Sequence, residues 1–385
     1  MNRRRIPAGK AVGIKTDVHN SEALRDILNR LQLLDKDKNP LVSEEHIIWP
    51  TCYENLDLAE VDSSKFGFKV EFEWSEFFQA PPPIDPHTKL ASAMNNWIEK
   101  HAHSLGFDVS KNTPQKWEIL GEIGLLSSDS FEPNFIRFLE SVDESKLIDL
   151  WDGLSASISV SKLGLQQHIG KDKMRSSQVK LLNSDDGWTT FLDKGVKFTF
   201  DVTKVMFSSG NVTERHRIAE MNFTGQTIVD CYTGVGYYSL HALKNANADY
   251  VHACELNPNS IIALKKALRL NNLEQKMTIY EGDNQYFLPK LNTMADRVFL
   301  GLLPSSESVW EDSIACLKDS GGVLHIHMNV EEEKIDAWVE STISQMLDYS
   351  RKQGRNFRAI STHLEKVKWF APHVRHVVLD LELRP

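Results

Sequence analysis

Asp230, Glu255 and Asp283 each close a short apolar run, and Gly234 and Gly236 stand just after the first of them in Asp230-Cys231-Tyr232-Thr233-Gly234-Val235-Gly236. Glycines at such a turn let the backbone bend tightly and approach a ligand closely. An acid at the position of Glu255 can accept both hydrogen bonds of a ribose diol, and a carboxylate or amide at Asp283-Asn284 can meet an adenine amino group. Asn257-Pro258 supplies a helix cap and a preset first helical residue directly after Glu255. The chemistry is recognition of a nucleotide-like cofactor. A nicotinamide dinucleotide would also accept an acid about twenty residues beyond the glycines, but it expects a third glycine where Ser239 stands.

The elements around these residues decide between cofactors. Strand-like runs at Thr227–Cys231, Tyr250–Glu255, Met277–Tyr280, Arg297–Leu302 and Val323–His327 alternate with helical patterns at Tyr237–Lys244, Pro258–Leu270, Val309–Leu317 and Glu332–Tyr349. That alternation predicts βαβ units and a parallel sheet. The chain then runs through Ala359–Val367, a turn at Ala371-Pro372, and Val374–Leu383, whose period of two predicts an antiparallel strand. The expected fold is α/β, a Rossmann-like doubly wound, mostly parallel sheet with an antiparallel last strand, preceded by a smaller α+β N-terminal region. Dinucleotide dehydrogenases normally end on a parallel strand. The reversed ending, with Asp230 and Asp283, points to S-adenosylmethionine, with Asp230, Tyr232, Gly234, Gly236, Glu255, Asp283 and Asn284 at its site.

The 385 residues, 41% hydrophobic and 25% charged, fit a globular protein of two or three domains, with no apolar run long enough for a bilayer. The expected division is an N-terminal region over 1–111, a small α+β domain over 112–185 and the cofactor domain over 186–385. The basic start lacks an apolar stretch, and Asp17, Glu22 and Asp26 follow too soon for a transit peptide, so the reading is cytoplasmic. Cys52, Cys231, Cys254 and Cys316 have no metal-type spacing and read as reduced thiols, with no metal expected. A net charge of −9 excludes a protein that coats nucleic acid indiscriminately. Two basic runs nevertheless suggest a polyanion: Lys162, Lys171, Lys173, Arg175 and Lys180, and later Arg351, Lys352, Arg355, Arg358, Lys366, Lys368 and Arg375.

The segment Phe200-Asp201-Val202-Thr203-Lys204-Val205-Met206-Phe207-Ser208-Ser209-Gly210-Asn211-Val212-Thr213-Glu214-Arg215 resembles the one that precedes the cofactor loop in the tRNA wybutosine-synthesizing protein 2 family. Similar likenesses extend over Val251–Pro258, Gly282-Asp283-Asn284, Leu300–Glu307 and Leu324–His327, and the match is strong from about Gly187 onward. The resemblance implies transfer of the 3-amino-3-carboxypropyl group of S-adenosylmethionine to C7 of 4-demethylwyosine at position 37 of tRNA(Phe), with 5′-methylthioadenosine released. It implies cofactor contacts at Ser208, Arg215, Glu255, Asp283 and Asn284. Arg215 stands where many relatives have lysine. The sister family of tRNA guanine-37 N1-methyltransferases has Ser-Pro-Arg and Asn-Leu-Pro where this chain has Ser208-Ser209-Gly210 and Leu302-Leu303-Pro304. Both differences point away from methyl transfer. A third reading, a non-catalytic RNA-binding subunit, expects an eroded cofactor loop.

Glu214 matches the acid assigned as base in the sister family and is the candidate general base. A first-turn carboxylate favoured by the helix dipole is the other reading. Tyr232 and Phe207 are candidate stacking walls, against the alternative of core aromatics. His325 and His327 are expected to face opposite sides of the fifth strand as packed histidines. The tRNA(Phe) anticodon loop is the expected partner, held by Lys171, Lys173 and Arg175, by Arg355 and Arg358, and at the acceptor side by Pro304.

Overall fold

The computed structural model describes residues 7–53, 66–80, 84–166 and 177–385. The chain divides into two units, Met1–Asp85 and Pro86–Pro385.

In the first unit the described residues form a sheet of order β2-β5-β1-β4-β3, from β1 (Pro7–Asp17), β2 (Lys38–Asn39), β3 (Leu41–Val42), β4 (His46–Pro50) and β5 (Glu71–Gln79). Helix α1 (Ser21–Arg30) turns Leu24 and Leu28, one helical turn apart, onto Ile14 and Phe66. Gly13 on β1 is required by crowding, because a Cβ there would lie 2.9 Å from the Phe77 ring.

The second unit begins with α2 (Pro86–His101), whose Leu90, Met94, Trp97 and Ile98 form one apolar stripe. That stripe packs against Phe135, Leu150, Trp151 and Leu154, and the Trp97 indole donates to the Lys146 carbonyl at 2.7 Å. The sequence grouped this helix with the N-terminal region up to residue 111. Its burial partners instead lie downstream, on α4 (Pro133–Leu139) and α5 (Glu144–Ser157), with the short α3 (Val109–Asn112) between. These helices cover a sheet of order β6-β7-β8-β9, from β6 (Trp117–Leu120), β7 (Ile123–Leu126), β8 (Lys162–Gln166) and β9 (Val179–Leu181). The chain over Trp117–Leu126 forms a hairpin, reversed at Gly121 with φ +59°. A second hairpin, β10 (Trp188–Asp193) and β11 (Val196–Asp201), turns at Lys194-Gly195. The Thr189 hydroxyl on β10 donates to the Leu120 carbonyl at 2.6 Å and ties the two hairpins together.

After α6 (Val212–Glu220) comes the large sheet. Its strands are β12 (Thr227–Asp230), β13 (Tyr250–Glu255), β14 (Met277–Glu281), β15 (Arg297–Leu300), β16 (Gly322–Glu331), β17 (Arg358–Ala371) and β18 (Val374–Arg384), in the order β14-β13-β12-β15-β16-β18-β17. β12 through β16 pair in parallel, and β18 runs antiparallel to both its neighbours, as the sequence predicted. Helices α7 (Ser239–Lys244), α8 (Pro258–Asn271), α9 (Asn284–Phe287), α10 (Trp310–Cys316) and α11 (Ile335–Lys352) fill the crossovers. The strands are apolar on both sides: Ile228 and Phe299 enter one core, Val229 and Val298 the other. The crossovers run outward in both directions from β12, so the carboxyl ends of β12 and β15 flank the switch point where ligands bind in such sheets. Among the described residues no helix is long and apolar enough to cross a membrane.

Candidate cofactor site

β12 delivers Asp230 to the carboxyl edge, fully buried. One oxygen accepts from the Ser239 hydroxyl at 2.5 Å and the other from the Tyr232 amide at 3.2 Å, while burial pushes the carboxyl up to about 6. The sequence placed Asp230 in contact with cofactor. Sealed behind the loop, it shapes the turn instead. Gly234 and Gly236 have φ of +58° and +95°. A Cβ on Gly234 would meet the Tyr237 ring at 2.6 Å, and one on Gly236 would meet Leu240 at 2.6 Å, so neither tolerates a side chain.

Glu255 ends the neighbouring strand and joins the loop to it. Its oxygens accept from the Gly234 amide at 2.8 Å and the Asn257 amide at 2.7 Å. Burial raises its carboxyl above the usual range against those opposing amides. Asn257 caps α8 by accepting from the Asn259 amide at 2.9 Å, as the sequence predicted. One strand further, Asp283 caps α9 from the Gln285 amide at 3.0 Å. The buried Asn284 amide donates to the Cys231 carbonyl at 2.9 Å, and the Tyr232 hydroxyl meets Ser308 and Asn284. The structure thus brings Tyr232, Gly234, Glu255, Asp283 and Asn284 to three adjacent strand ends. A glycine turn that a Cβ would fill, beside a carboxylate and then an acid–amide pair, matches a nucleoside cofactor in shape and hydrogen-bonding character.

The segment before α6 forms the other wall, with Ser208 half-buried beside it. Arg215, expected to touch cofactor, is buried and committed elsewhere. Its Nε donates to Asp193 at 2.9 Å, its Nη1 to the Ser208 carbonyl at 3.1 Å, and its guanidinium lies 5.0 Å from the Phe207 ring centre. It braces the loop from behind. Asp193 also contacts His216 at 2.5 Å; burial raises its carboxyl, but the bonds from His216 and Arg215 hold it below the usual range. Phe207 is half-buried against the core, stacked with Phe200 at 5.1 Å and with Arg215 over its ring, so it is no free stacking wall.

Glu214 is fully buried, and both its oxygens accept from Arg217 at 2.7 Å. Burial pushes its carboxyl up to about 7 despite that guanidinium. A carboxylate so engaged must break its ion pair before it can take a proton from a bound base, and the geometry assigns it to anchoring α6. His325 and His327 lie on one face of β16, not on opposite faces, because residues two apart in a strand point the same way. His325 lies 2.7 Å from Asp380, and His327 bonds His376 at 3.0 Å.

The expected RNA contacts separate. Arg355 donates to the carbonyls of Ile314 at 2.6 Å, Leu317 at 2.7 Å and Lys318, closing the end of α10; its guanidinium is spent inside the chain. Arg358 is exposed at the start of β17. Pro304 is exposed after a cis Leu303-Pro304 bond, and its carbonyl accepts from the Asn329 amide at 3.0 Å. Lys171, Lys173 and Arg175 lie outside the described residues. Sequence reasoning missed Arg217, Asp193 and Asp380, which fix the site from behind; a lone charged residue in an amphipathic run carries no mark of the partner it meets across the fold.

A mostly parallel sheet with a reversed final hairpin, a glycine turn after its first strand and carboxylates at the next two strand ends defines the class of S-adenosylmethionine-dependent transferases. The TRM5/TYW2 methyltransferase domain family matches residues 189–355. The tRNA wybutosine-synthesizing protein 2 homolog of Rattus norvegicus is 34% identical, over 97% of this chain and 97% of its own length. The tRNA wybutosine-synthesizing protein 2/3/4 of Arabidopsis thaliana is 32% identical over 94% of this chain, which spans 36% of that longer relative. In fold, the chain is similar to Pyrococcus horikoshii TYW2 in complex with MeSAdo, with a TM-score of 0.61 at 24% identity, over 76% of this chain and 99% of that one. The chain belongs to the tRNA wybutosine-synthesizing protein 2 family and is a tRNA-modifying transferase.

Proposed function

We propose that this chain transfers the 3-amino-3-carboxypropyl group of S-adenosylmethionine to C7 of 4-demethylwyosine at position 37 in the anticodon loop of tRNA(Phe). Bound S-adenosylmethionine supplies a sulfonium whose three attached carbons are all electrophilic. The bond from sulfur to the aminocarboxypropyl carbon breaks, the electron pair returns to sulfur in 5′-methylthioadenosine, a carbon–carbon bond forms at C7, and the C7 proton leaves. The protein's part is to present one of the three carbons in line with the nucleophile.

The observation that carries this reading is the residue pattern of two segments, Ser208–Asn211 and Leu302–Pro304. Neither the Ser-Pro-Arg nor the Asn-Leu-Pro pattern of the guanine methyltransferases is there, while Gly234, Glu255, Asp283 and Asn284 retain the nucleoside site. Glu255 accepts the ribose diol, and Asp283 with Asn284 faces the adenine. Ser208 lines the arm, and Arg215 keeps that wall rigid through the Ser208 carbonyl. Arg358, with Lys171, Lys173 and Arg175, attracts the phosphates of the anticodon loop. Mass analysis of the position-37 nucleoside in cells lacking the protein tests the reading. Accumulated 4-demethylwyosine is expected; unaltered wybutosine would overturn it.

A further inference from the structure

Lys368 on β17, His376 on β18 and Asn329 on β16 are register partners across three adjacent strands. Side chains directly opposite one another emerge on the same face. That face also carries His325, His327 and Asp380, and α6 packs on it through Arg217. The row reaches the cofactor wall along a polar path. His376 bonds His327, the Tyr238 ring centre lies 5.0 Å from the His327 ring centre, and the Asn211 amide donates to the Tyr238 hydroxyl at 3.3 Å.

Along this path polar atoms are left over. Asn211 Oδ1, His376 Nδ1 and both amide atoms of Asn329 are buried with no partner among the described residues. The Lys368 ammonium makes no hydrogen bond or ion pair among them either. It lies over Gly210: a Cβ there would collide with it and sit 3.1 Å from Lys368 Cδ. Gly210 therefore leaves the space that lets Lys368 reach the loop, two residues from Ser208. Acids on β10, on β17 and in the turn after β16 are engaged by other groups. Asp193 holds Arg215, Glu332 holds Lys366 and Arg375, and Glu365 meets His363. Half-burial and the neighbouring Arg215 lower the Lys368 ammonium below the usual lysine range, as fits a cation without an anion.

We propose that Lys368 receives the carboxylate of the cofactor's aminocarboxypropyl arm, drawing that arm across Ser208–Asn211 onto the polar row. The proposal rests on the S-adenosylmethionine site described above and adds the residue that fixes the direction of the arm. An RNA phosphate is the other anion that could satisfy the same ammonium, and the test separates the two.

The full chain with Lys368→Met is titrated by calorimetry with S-adenosylmethionine and with 5′-methylthioadenosine, which has the same nucleoside and sulfur but no arm. S-adenosylmethionine is expected to weaken by at least about tenfold, the scale of one charge-assisted hydrogen bond. 5′-Methylthioadenosine is expected to bind as to the wild type, and Lys368→Arg to recover most of the loss. Lys368→Gln provides a second neutral variant in case Met disturbs the fold. A parallel titration of each variant with tRNA(Phe) reads the phosphate alternative: unchanged affinity for S-adenosylmethionine, an equal loss for both small ligands, or a loss confined to tRNA would each overturn the proposal. Transfer of the methyl group by the wild type would overturn the reaction assigned above, yet leave this comparison of two ligands standing.

Discussion

Arg217 on α6 holds Asp380 on β18 through two hydrogen bonds, 2.6 and 3.0 Å long, while its remaining donors grip Glu214. The pairing fastens the helix that follows the cofactor wall to the strand that closes the sheet. Of the two carboxylates that share Arg217, Asp380 also has His325 beside it. Burial opposes ionisation there, but His325 and Arg217 hold its carboxyl far below the usual range.

Removing one partner of such a buried pair strands the other charge. Arg217→Leu should therefore destabilise the protein by about 3–5 kcal/mol, read from urea unfolding. It should also weaken S-adenosylmethionine, since the loop before α6 loses its anchor. A variant as stable as the wild type would show that the network contributes nothing.

Glu214 gives this network a pH signature. Its carboxyl is raised from 4.5 to about 7, so between those values the native state binds a proton that the unfolded chain releases. Its contribution therefore falls as pH rises from 4.5 to 7, by about 3 kcal/mol across the window. Glu214→Gln removes the titration. The stability difference between wild type and variant, followed by unfolding across that window, should change with this sign; a constant difference would contradict it.

Much of this arrangement is legible in the sequence. The period-two ending at Val377, Leu379, Leu381 and Leu383 identified the antiparallel strand, and the glycines with Glu255 and Asp283 identified the carboxyl edge. Those signals are local, carried by spacing within one element. The N-terminal sheet was not legible, because β2 and β3 are two residues each and central β1 is buried at four successive positions, Ala11 to Ile14, which erases the alternation. Nor was the fate of Arg215 and Arg355. Arg215 read as a cofactor contact and Arg355 as an RNA contact, and only the fold shows that Asp193 and three backbone carbonyls take their donors.

The nucleoside half of the site is tested at Glu255. Glu255→Gln keeps the size but loses the charge proposed to meet the ribose, and it disturbs the bond to the Gly234 amide. Affinity for 5′-methylthioadenosine should drop by at least about tenfold, read by calorimetry. Unaltered affinity would remove Glu255 from the site.

The two C-terminal arginines should respond differently. Arg355→Ala leaves the carbonyls at the end of α10 without their donor, and thermal unfolding should reveal a loss of about 1–3 kcal/mol. Arg358→Glu should leave stability unchanged and weaken tRNA binding most at low salt. If Arg358→Glu binds tRNA normally across a salt series, the contact belongs elsewhere on the surface.

The central claim is that the aminocarboxypropyl arm is transferred and the methyl group stays on sulfur. S-adenosylmethionine labelled separately in the methyl and the carboxyl carbon, incubated with the protein and tRNA(Phe) carrying 4-demethylwyosine, tests it directly. Label from the carboxyl carbon should enter the tRNA while the methyl label leaves in 5′-methylthioadenosine. Methyl label in the tRNA would contradict the account.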